Sequence, residues 1–307
     1  MLRALGIRGA QMLLTVLGIF AIMFFLVRVS GDPVALILGP SATTDQIEAL
    51  RQSMGLDRPL LVQFAQELGR ALTLDFGVSI RGGQDALSLA LDRLWVSLEL
   101  VLGAFVFAVS IAIPLGVVAA VWRHSWLSDV LMSVTFLGQA LPIFLTGPLL
   151  IILFSVEWQV LPTSGWDDPA DRVLPVVTLG LVLMAKLARV TRAQMIEMLD
   201  QDFVRTARSK GLSPARVVLV HGLRNALVPI VTVIGTDLGQ LVGSAVLTET
   251  IFAIPGIGQL LLQSALARDY PMLQAGVFLV AVIVIGLNLA ADLLYRVLDP
   301  RVGRGQG

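Results

Sequence analysis

Two lysines, two histidines, no cysteine and a few acids in apolar surroundings make up most of the reactive equipment of this 307-residue chain. Neither lysine can serve a phosphate-cradling loop. That motif needs G-x-x-x-x-G-K-[ST], whereas Lys186 and Lys210 are followed by Leu187 and Gly211. ATP hydrolysis by that route is excluded. His124 and His221 are far apart and lack H-E-x-x-H spacing, so they read as interfacial or loop residues, not zinc ligands. The lack of cysteine removes disulfides, thiolate metal sites and thiol nucleophiles together, and no G-x-S-x-G elbow offers a serine nucleophile. What remains is carboxylate chemistry. Glu99, Asp237 and Asp292 fall within apolar runs, where a charge is costly and usually functional. Asp237 and Asp292 could share a proton as the two acids of an aspartyl protease do, yet no G-x-G-D or Y-D sequence surrounds either. Asp237, beside Gly235 and Gly239, suits either a polar pathway or a hydrogen bond to a neighbouring helix.

The elements that must position these residues are membrane helices. A hydrophobic content of 56%, a charged content of 14% and a mean hydropathy of +0.84 are too apolar for a soluble domain of this size. Crossing about 30 Å of hydrocarbon takes roughly 20 helical residues. Runs suited to this occupy residues 10–29, 94–121, 129–156, 173–190, 226–251 and 272–297, predicting six spans in an all-α membrane protein. The first run has Arg3 and Arg8 before an apolar core too long for a signal peptide and no cleavage site after it, so it is expected to be retained. Pro114, Pro142, Pro148, Pro175 and Pro229 mark positions where a membrane helix could kink.

Charge sets the orientation. The connection at 157–172 carries Glu157, Asp167, Asp168 and Asp171 against Arg172, and the one at 252–271 has only Arg268, balanced by Asp269. Both should face outward, while Arg3, Arg8, Arg123, the block from Lys186 to Arg224, and Arg296, Arg301 and Arg304 should face the cytoplasm. Both termini are then cytoplasmic. The long connection at 30–93 lies outside as a small cap, serving as a solvated spacer or as a docking or gating surface. Thr43 with Gln46 suggests a capping box, Ile47, Leu50 and Met54 recur at helical spacing, Gly55 can stop that helix, and Pro59 can start another running to about Ala71.

Between the fourth and fifth runs lies a segment that does not belong in hydrocarbon. Ile196, Leu199, Phe203 and Ala207 recur at helical spacing, with Glu197, Gln201, Arg205 and Arg208 elsewhere on the circumference. Gly211 after Lys210 can adopt the left-handed conformation that ends a helix, Leu212 can fold back as the apolar contact, and Ser213 with Pro214 can start the next helix. The predicted product is helix, sharp turn, helix at the cytoplasmic surface. A DNA-reading helix-turn-helix is excluded because the second helix runs straight into a span. A basic patch on anionic lipid needs no such corner, whereas a docking knob for a soluble partner explains it.

At these residues the chain resembles the permease subunits of binding-protein-dependent ABC importers, in particular the dipeptide, oligopeptide and nickel group. Their cytoplasmic loop often reads close to the "RTARSKGL" found at 205–212. The strings "RNALVPIVTVIG" (224–235), "TETIFAIPGIGQLL" (248–261), "RDYPMLQAG" (268–276), "DLLYRVLDPR" (292–301), "GDP" (31–33), "MGLDRPL" (54–60) and "DFGVS" (75–79) are similar to that group's patterns. Arg205 stands where the general loop motif has glutamate, and "LDFG" replaces a more usual "GDLG".

The resemblance implies a type I ABC importer transmembrane fold with a transmembrane helix and external loop region at 1–93, a five-helix transmembrane domain at 94–299 with its coupling loop at 191–225, and a cytoplasmic tail at 300–307. It implies no catalysis and no cofactor in this chain, ATP and Mg being used by two partner ATPase subunits. A second, similar permease would complete the pathway, most readily as a heterodimer, and an extracytoplasmic solute-binding protein would deliver the substrate. The setting would be a bacterial inner membrane, with no role for nucleic acid. The coupling loop would comprise Asp202, Arg205, Thr206, Ala207, Arg208, Lys210, Gly211, Leu212, Ser213 and Pro214. Glu99 and Asp237, as acids within apolar runs, are the candidates to line the pathway. Di- and oligopeptides lead as substrates, with nickel, glutathione or another small solute open. A secondary carrier would instead need repeated halves and paired intramembrane charges, and the sequence shows neither.

Overall fold

The computed structural model describes residues 14–26, 34, 38, 42–53 and 55–298. Arg3, Arg8, Met54, Arg301, Arg304, the GDP string and the tail at 300–307 lie outside those residues, as do the side chains of Asp292 and Arg296. Among the described residues every regular element is helical, apart from an isolated antiparallel bridge between Val78 and Asp85. The helices are α1 (Leu14–Leu26), α2 (Thr44–Ser53), α3 (Leu60–Leu72), α4 (Ala86–Val121), α5 (Trp126–Ala140), α6 (Ile143–Glu157), α7 (Val173–Leu199), α8 (Asp202–Ser209), α9 (Pro214–Ile251), α10 (Ile257–Ala267) and α11 (Tyr270–Leu298). The chain divides into two compact units, residues 1–95 with 259–285, and residues 96–258 with 286–307.

Four helical segments are long and apolar enough to cross a membrane: Ala86–Val121, Pro169–Leu199, Pro214–Ile251 and Tyr270–Ala291. The span expected at 129–156 is not one rod. Its two halves, α5 and α6, meet at a bend of 108°. Pro142 causes the break. Its ring disfavours helical geometry in the preceding residue, and Leu141 is extended at φ −85, ψ 123. Pro142 then starts a fresh helix whose first amides, Leu145 N and Thr146 N, donate to Pro142 O at 2.9 and 3.0 Å. Pro114, Pro148 and Pro229 lie inside helices, and Pro175 occupies a first turn, where its missing N–H costs nothing.

The first unit packs around Phe20, Ala71, Phe76, Ala86, Ala90, Met272 and Ala275. Phe24 meets Phe64 edge-on at 5.3 Å, and Phe76 lies 5.2 Å from Phe278. The two helices expected between Thr43 and about Ala71 both form, as α2 and α3. Thr43 and Gln46 exchange backbone-to-side-chain hydrogen bonds at 3.0 and 3.4 Å, Gly55 takes φ +68, and Pro59 precedes α3. The buried Asp269 carboxylate ties the loop at 79–81 to the start of α11. It accepts hydrogen bonds from Ser79 Oγ (2.5 Å), Ile80 N (3.1 Å), Arg81 N (3.3 Å) and Met272 N (3.4 Å).

The second unit is a bundle held by small residues, as membrane interfaces require for close backbone approach. A Cβ at Gly103 would lie 2.9 Å from Val176 Cγ2, and one at Gly116 would lie 2.5 Å from Thr191 Cβ. Contacts therefore advance together along α4 and α7, so these helices run parallel, and the broken α5–α6 pair must carry the chain back between them. α9 runs the other way, with Gly222 beside Met195 and Leu199 and Asp237 beside Lys186. One end of this bundle thus holds Arg123, Asp200 and the segment up to Pro214, and the opposite end holds the loop at 157–172 and the turn after α9. The acidic loop at 157–172 and the corner at 200–214 therefore lie at opposite ends of the bundle.

Candidate functional site

The segment between α7 and α9 holds a separate short helix, α8, and is not a continuation of α7. Asp200 and Gln201 interrupt it, Gln201 being extended at φ −73, ψ 152. This shifts the phase of the apolar stripe. Val204 and Ala207 are buried against Val217, with Leu199 and Leu212 beside them, while Phe203, which shares the predicted stripe with Leu199 and Ala207, is 40% exposed. Two hydrogen bonds close the corner, Gly211 N to Arg208 O at 2.9 Å and Leu212 N to Ala207 O at 3.4 Å. They are the paired bonds of a Schellman motif, which needs a left-handed residue after the cap, and Gly211 supplies it at φ +77. Pro214 opens α9 as expected. Ser213 occupies the capping position, but its hydroxyl makes no capping bond, and its carbonyl instead accepts from Val217 N at 3.0 Å.

The outer surface of this corner is polar. Asp202 is 94% exposed and pairs with Arg205 at 3.3 Å, Thr206 Oγ1 donates to Asp202 O at 3.0 Å, and Arg208 and Lys210 are exposed in the last turn. Asp200 anchors the corner to the α4–α5 loop through Arg123 at 2.8 Å. The Arg123 guanidinium holds the Asp200 carboxyl below the usual carboxylate range, and Asp200 raises Arg123 in return. Beyond the corner, α9 widens into a π turn over Val217–Leu223, where Asn225 Nδ2 donates to His221 O at 2.7 Å.

Asp237 is buried on α9, and Lys186 on α7 donates to its Oδ1 at 2.7 Å. Lys186 therefore lies on α7 at the cavity beside Asp237, apart from the basic loop block in which its sequence position grouped it. The two residues border a cavity of about 190 Å³ among α5, α6, α7 and α9, together with Gln139, Gln240 and Ser244. Arg189, one turn from Lys186, donates to Gln139, and Arg192 donates to Ser128 Oγ at 3.2 Å. The paired charge was legible only in principle, since a lone acid on one apolar run needs a basic partner on another.

Glu99 sits near the opposite end of the bundle. Its carboxylate pairs with Arg172 and accepts from Trp166 Nε1 at 3.1 Å, and the Arg172 guanidinium lies 5.3 Å from the Trp166 ring centroid. Sequence reasoning missed Glu249, which is fully buried, accepts from Ser97 Oγ at 2.5 Å and fills the space that side chains at Gly256 and Gly258 would occupy. Ile257 N donates to the same Ser97 Oγ at 2.8 Å. Among the described residues no group of acids and histidines could hold a metal ion.

The family model described as "Binding-protein-dependent transport system inner membrane component" matches residues 112–304, and its N-terminal companion matches residues 1–78. The glutathione transport system permease protein GsiC of Escherichia coli (strain K12) is 39% identical over 300 residues, covering 98% of this chain and 97% of that protein. The same protein of Shigella dysenteriae serotype 1 (strain Sd197) is also 39% identical over 300 residues. Among solved structures, the MetNI methionine ABC transporter in an inward-facing conformation matches with a TM-score of 0.59 at 19% identity, over 69% of this chain and 96% of that one. An amino acid ABC transporter solved with histidines matches at 0.50 and 18%, over 70% of this chain and 94% of that one. The fold is that of type I ABC importer permeases.

Proposed function

The chain belongs to the family of binding-protein-dependent transport system inner membrane components, and from that premise we propose that it supplies one half of an import pathway for short peptides or glutathione. A second permease completes the pathway, two ATPase subunits bind and hydrolyse ATP with Mg, and an extracytoplasmic binding protein delivers the solute. The chain itself binds no cofactor and catalyses no reaction. It resides in a bacterial inner membrane with six spans and both termini in the cytoplasm, α1 and the broken α5–α6 pair each serving as one span. Asp202, Arg205, Thr206, Arg208 and Lys210 form the polar face offered to the ATPase. Ala207, Leu212 and Pro214 fix that face to the bundle, and Gly211 sets its angle. Asp237 lines the pathway, and Glu99 steadies its outer mouth through Arg172.

The observation that carries this reading is the corner at Gly211, a stiff, exposed turn set on a buried apolar knuckle and joined directly to α9. Closure of the ATPases on that corner rocks α7 and α9, driving the pathway between two states that bind the delivered solute differently. Because the chain has no cysteine of its own, Arg208→Cys introduces a crosslinking site that is unique within this chain. A crosslink to the ATPase subunit whose yield changes with nucleotide is expected. Labelling of that cysteine from outside the cell, or no ATPase crosslink in any nucleotide state, would refute the assignment. The Lys186–Asp237 pair also meets one requirement of an ion-coupled carrier, and uptake that persists after the ATPases are removed would favour that second reading.

A further inference from the structure

The charges at the cavity form an incomplete pair. Lys186 Nζ reaches Asp237 Oδ1 at 2.7 Å, but Asp237 Oδ2 is buried with no hydrogen-bond partner among the described residues. The Asp237 side chain is only 10% exposed, so that oxygen is not satisfied at the surface, whereas the Lys186 side chain is 42% exposed and its ammonium has two further protons to give. A site lined by one ammonium and one underused carboxylate is complementary to a ligand carrying both opposite charges. A singly charged ligand would add net charge to a poorly solvated site. A zwitterion adds none and exchanges one ion pair for two, so desolvation favours it over either half alone.

Spacing narrows the class further. Lys186 and Asp237 lie side by side, so the ligand's two charges must also be adjacent. An amino group and a carboxylate on one carbon meet that demand, while in an α-linked dipeptide they stand at opposite ends of a chain that extends roughly 3.5 Å per residue. Size agrees, because the cavity of about 190 Å³ has room for an amino-acid head beside the ion pair. We infer that Lys186 and Asp237 form a substrate subsite for an α-amino-acid head group that inserts into their ion pair, with Lys186 taking the carboxylate and Asp237 the ammonium. Glutathione carries such a head at its γ-glutamyl end, because the γ linkage leaves amine and carboxylate together on one carbon. The inference rests on the importer reading and places part of the selection in the permease itself.

The test uses the complete complex of both permeases and both ATPases in lipid nanodiscs, without binding protein, and measures displacement of radiolabelled glutathione. Three competitors dissect the head: the desamino analogue, the α-carboxamide, and the α-linked isomer Glu-Cys-Gly. Each is expected to compete at least about tenfold less well than glutathione, a loss of about 1.4 kcal/mol. Asp237→Asn should abolish discrimination against the desamino analogue and leave that against the carboxamide. Lys186→Gln should do the reverse. The double variant Lys186→Met with Asp237→Leu removes both charges, so it folds without an orphaned ion, and it should lose all head-group discrimination. Absence of saturable glutathione binding, equal competition by all analogues, or unchanged discrimination in the variants would overturn the subsite and leave a structural ion pair only. Stimulation of ATPase activity by added binding protein in the same wild-type discs reports separately on the importer reading.

Discussion

Replacing Gly211 with valine isolates the corner from everything else in the protein. A Cβ at Gly211 would meet nothing within 4 Å, so the substitution introduces no clash. Its effect is conformational. Holding an L-residue at φ +77 costs roughly 1–2 kcal/mol, with a β-branched side chain at the upper end. The alternative is to abandon the turn, losing the bonds from Gly211 N and Leu212 N at about 0.5–1.5 kcal/mol each, together with the contact of Leu212 on Val204, Ala207 and Val217. The two costs are comparable, so the variant should populate several corner geometries where the wild type holds one. Membrane insertion should be unaffected because no span is touched. In proteoliposomes containing the full complex, uptake and binding-protein-stimulated ATP turnover should fall about tenfold or more, in line with a shift of about 1.4 kcal/mol or larger. Gly211→Ala should lie between, and Gly211→Asn should stay near wild type because asparagine tolerates left-handed geometry. Normal uptake by the valine variant, or an asparagine variant as defective as valine, would refute the reasoning.

Two further outcomes follow from the ends of the bundle. Ser97→Ala removes a donor to the fully buried Glu249 and an acceptor for Ile257 N. It should lower the stability of the solubilised complex by about 1–3 kcal/mol, read as a drop in melting temperature, and an unchanged melting curve would count against a structural role for that bond. Because Arg123 depresses the Asp200 carboxyl, the pair's stabilisation is present above the unfolded carboxylate pKa of about 3.9 and is lost as pH falls through the lower folded value. Asp200→Asn should therefore give a melting temperature below wild type near neutral pH, with the gap closing in acid below that range. A gap that persists there would show that the ion pair is not its cause.

Local signals in the sequence were enough wherever one residue type decides the conformation. The Thr43–Gln46 box, the stops at Gly55 and Gly211 and the restart at Pro214 all form where capping and left-handed geometry place them. Hydropathy found the membrane helices but not the bend at Leu141–Pro142, because an apolar run reads alike whether straight or folded back, and only the ψ of Leu141 tells the two apart. The break at Asp200–Gln201 is hidden for a related reason: a periodic stripe survives on paper across an interruption that shifts its phase, so Phe203 lies on the stripe while Val204 is the residue buried. Lys186 and Glu249 were illegible because their significance lies in partners 51 and 152 residues away, at Asp237 and Ser97. No spacing rule spans such distances without the packing that brings the helices together.

The corner and the cavity are mechanically one system. From Lys186 to Leu199 along α7 is 13 residues, or roughly 20 Å at 1.5 Å per residue, and this stretch continues into the break that carries the corner. Across the turn, α9 returns through the π segment at Val217–Leu223, packs Gly222 against Met195 and Leu199, and reaches Asp237 opposite Lys186. The corner is therefore a link between the two rods that hold the ion pair. Packed side chains resist compression, so a displacement imposed on such a link passes along both rods and does not dissipate locally. The π turn at Val217–Leu223 is a departure from α geometry on α9 between the corner and Asp237, of the kind that is frequent at functional sites. Nucleotide-driven movement of the corner would then alter the offset of Lys186 from Asp237. A small offset is enough: a salt bridge of 2.7 Å opens within an ångström or two, and an opened pair in this setting needs either a ligand or water. The same motion that exposes the pathway would thereby set when a zwitterion can be taken up or released.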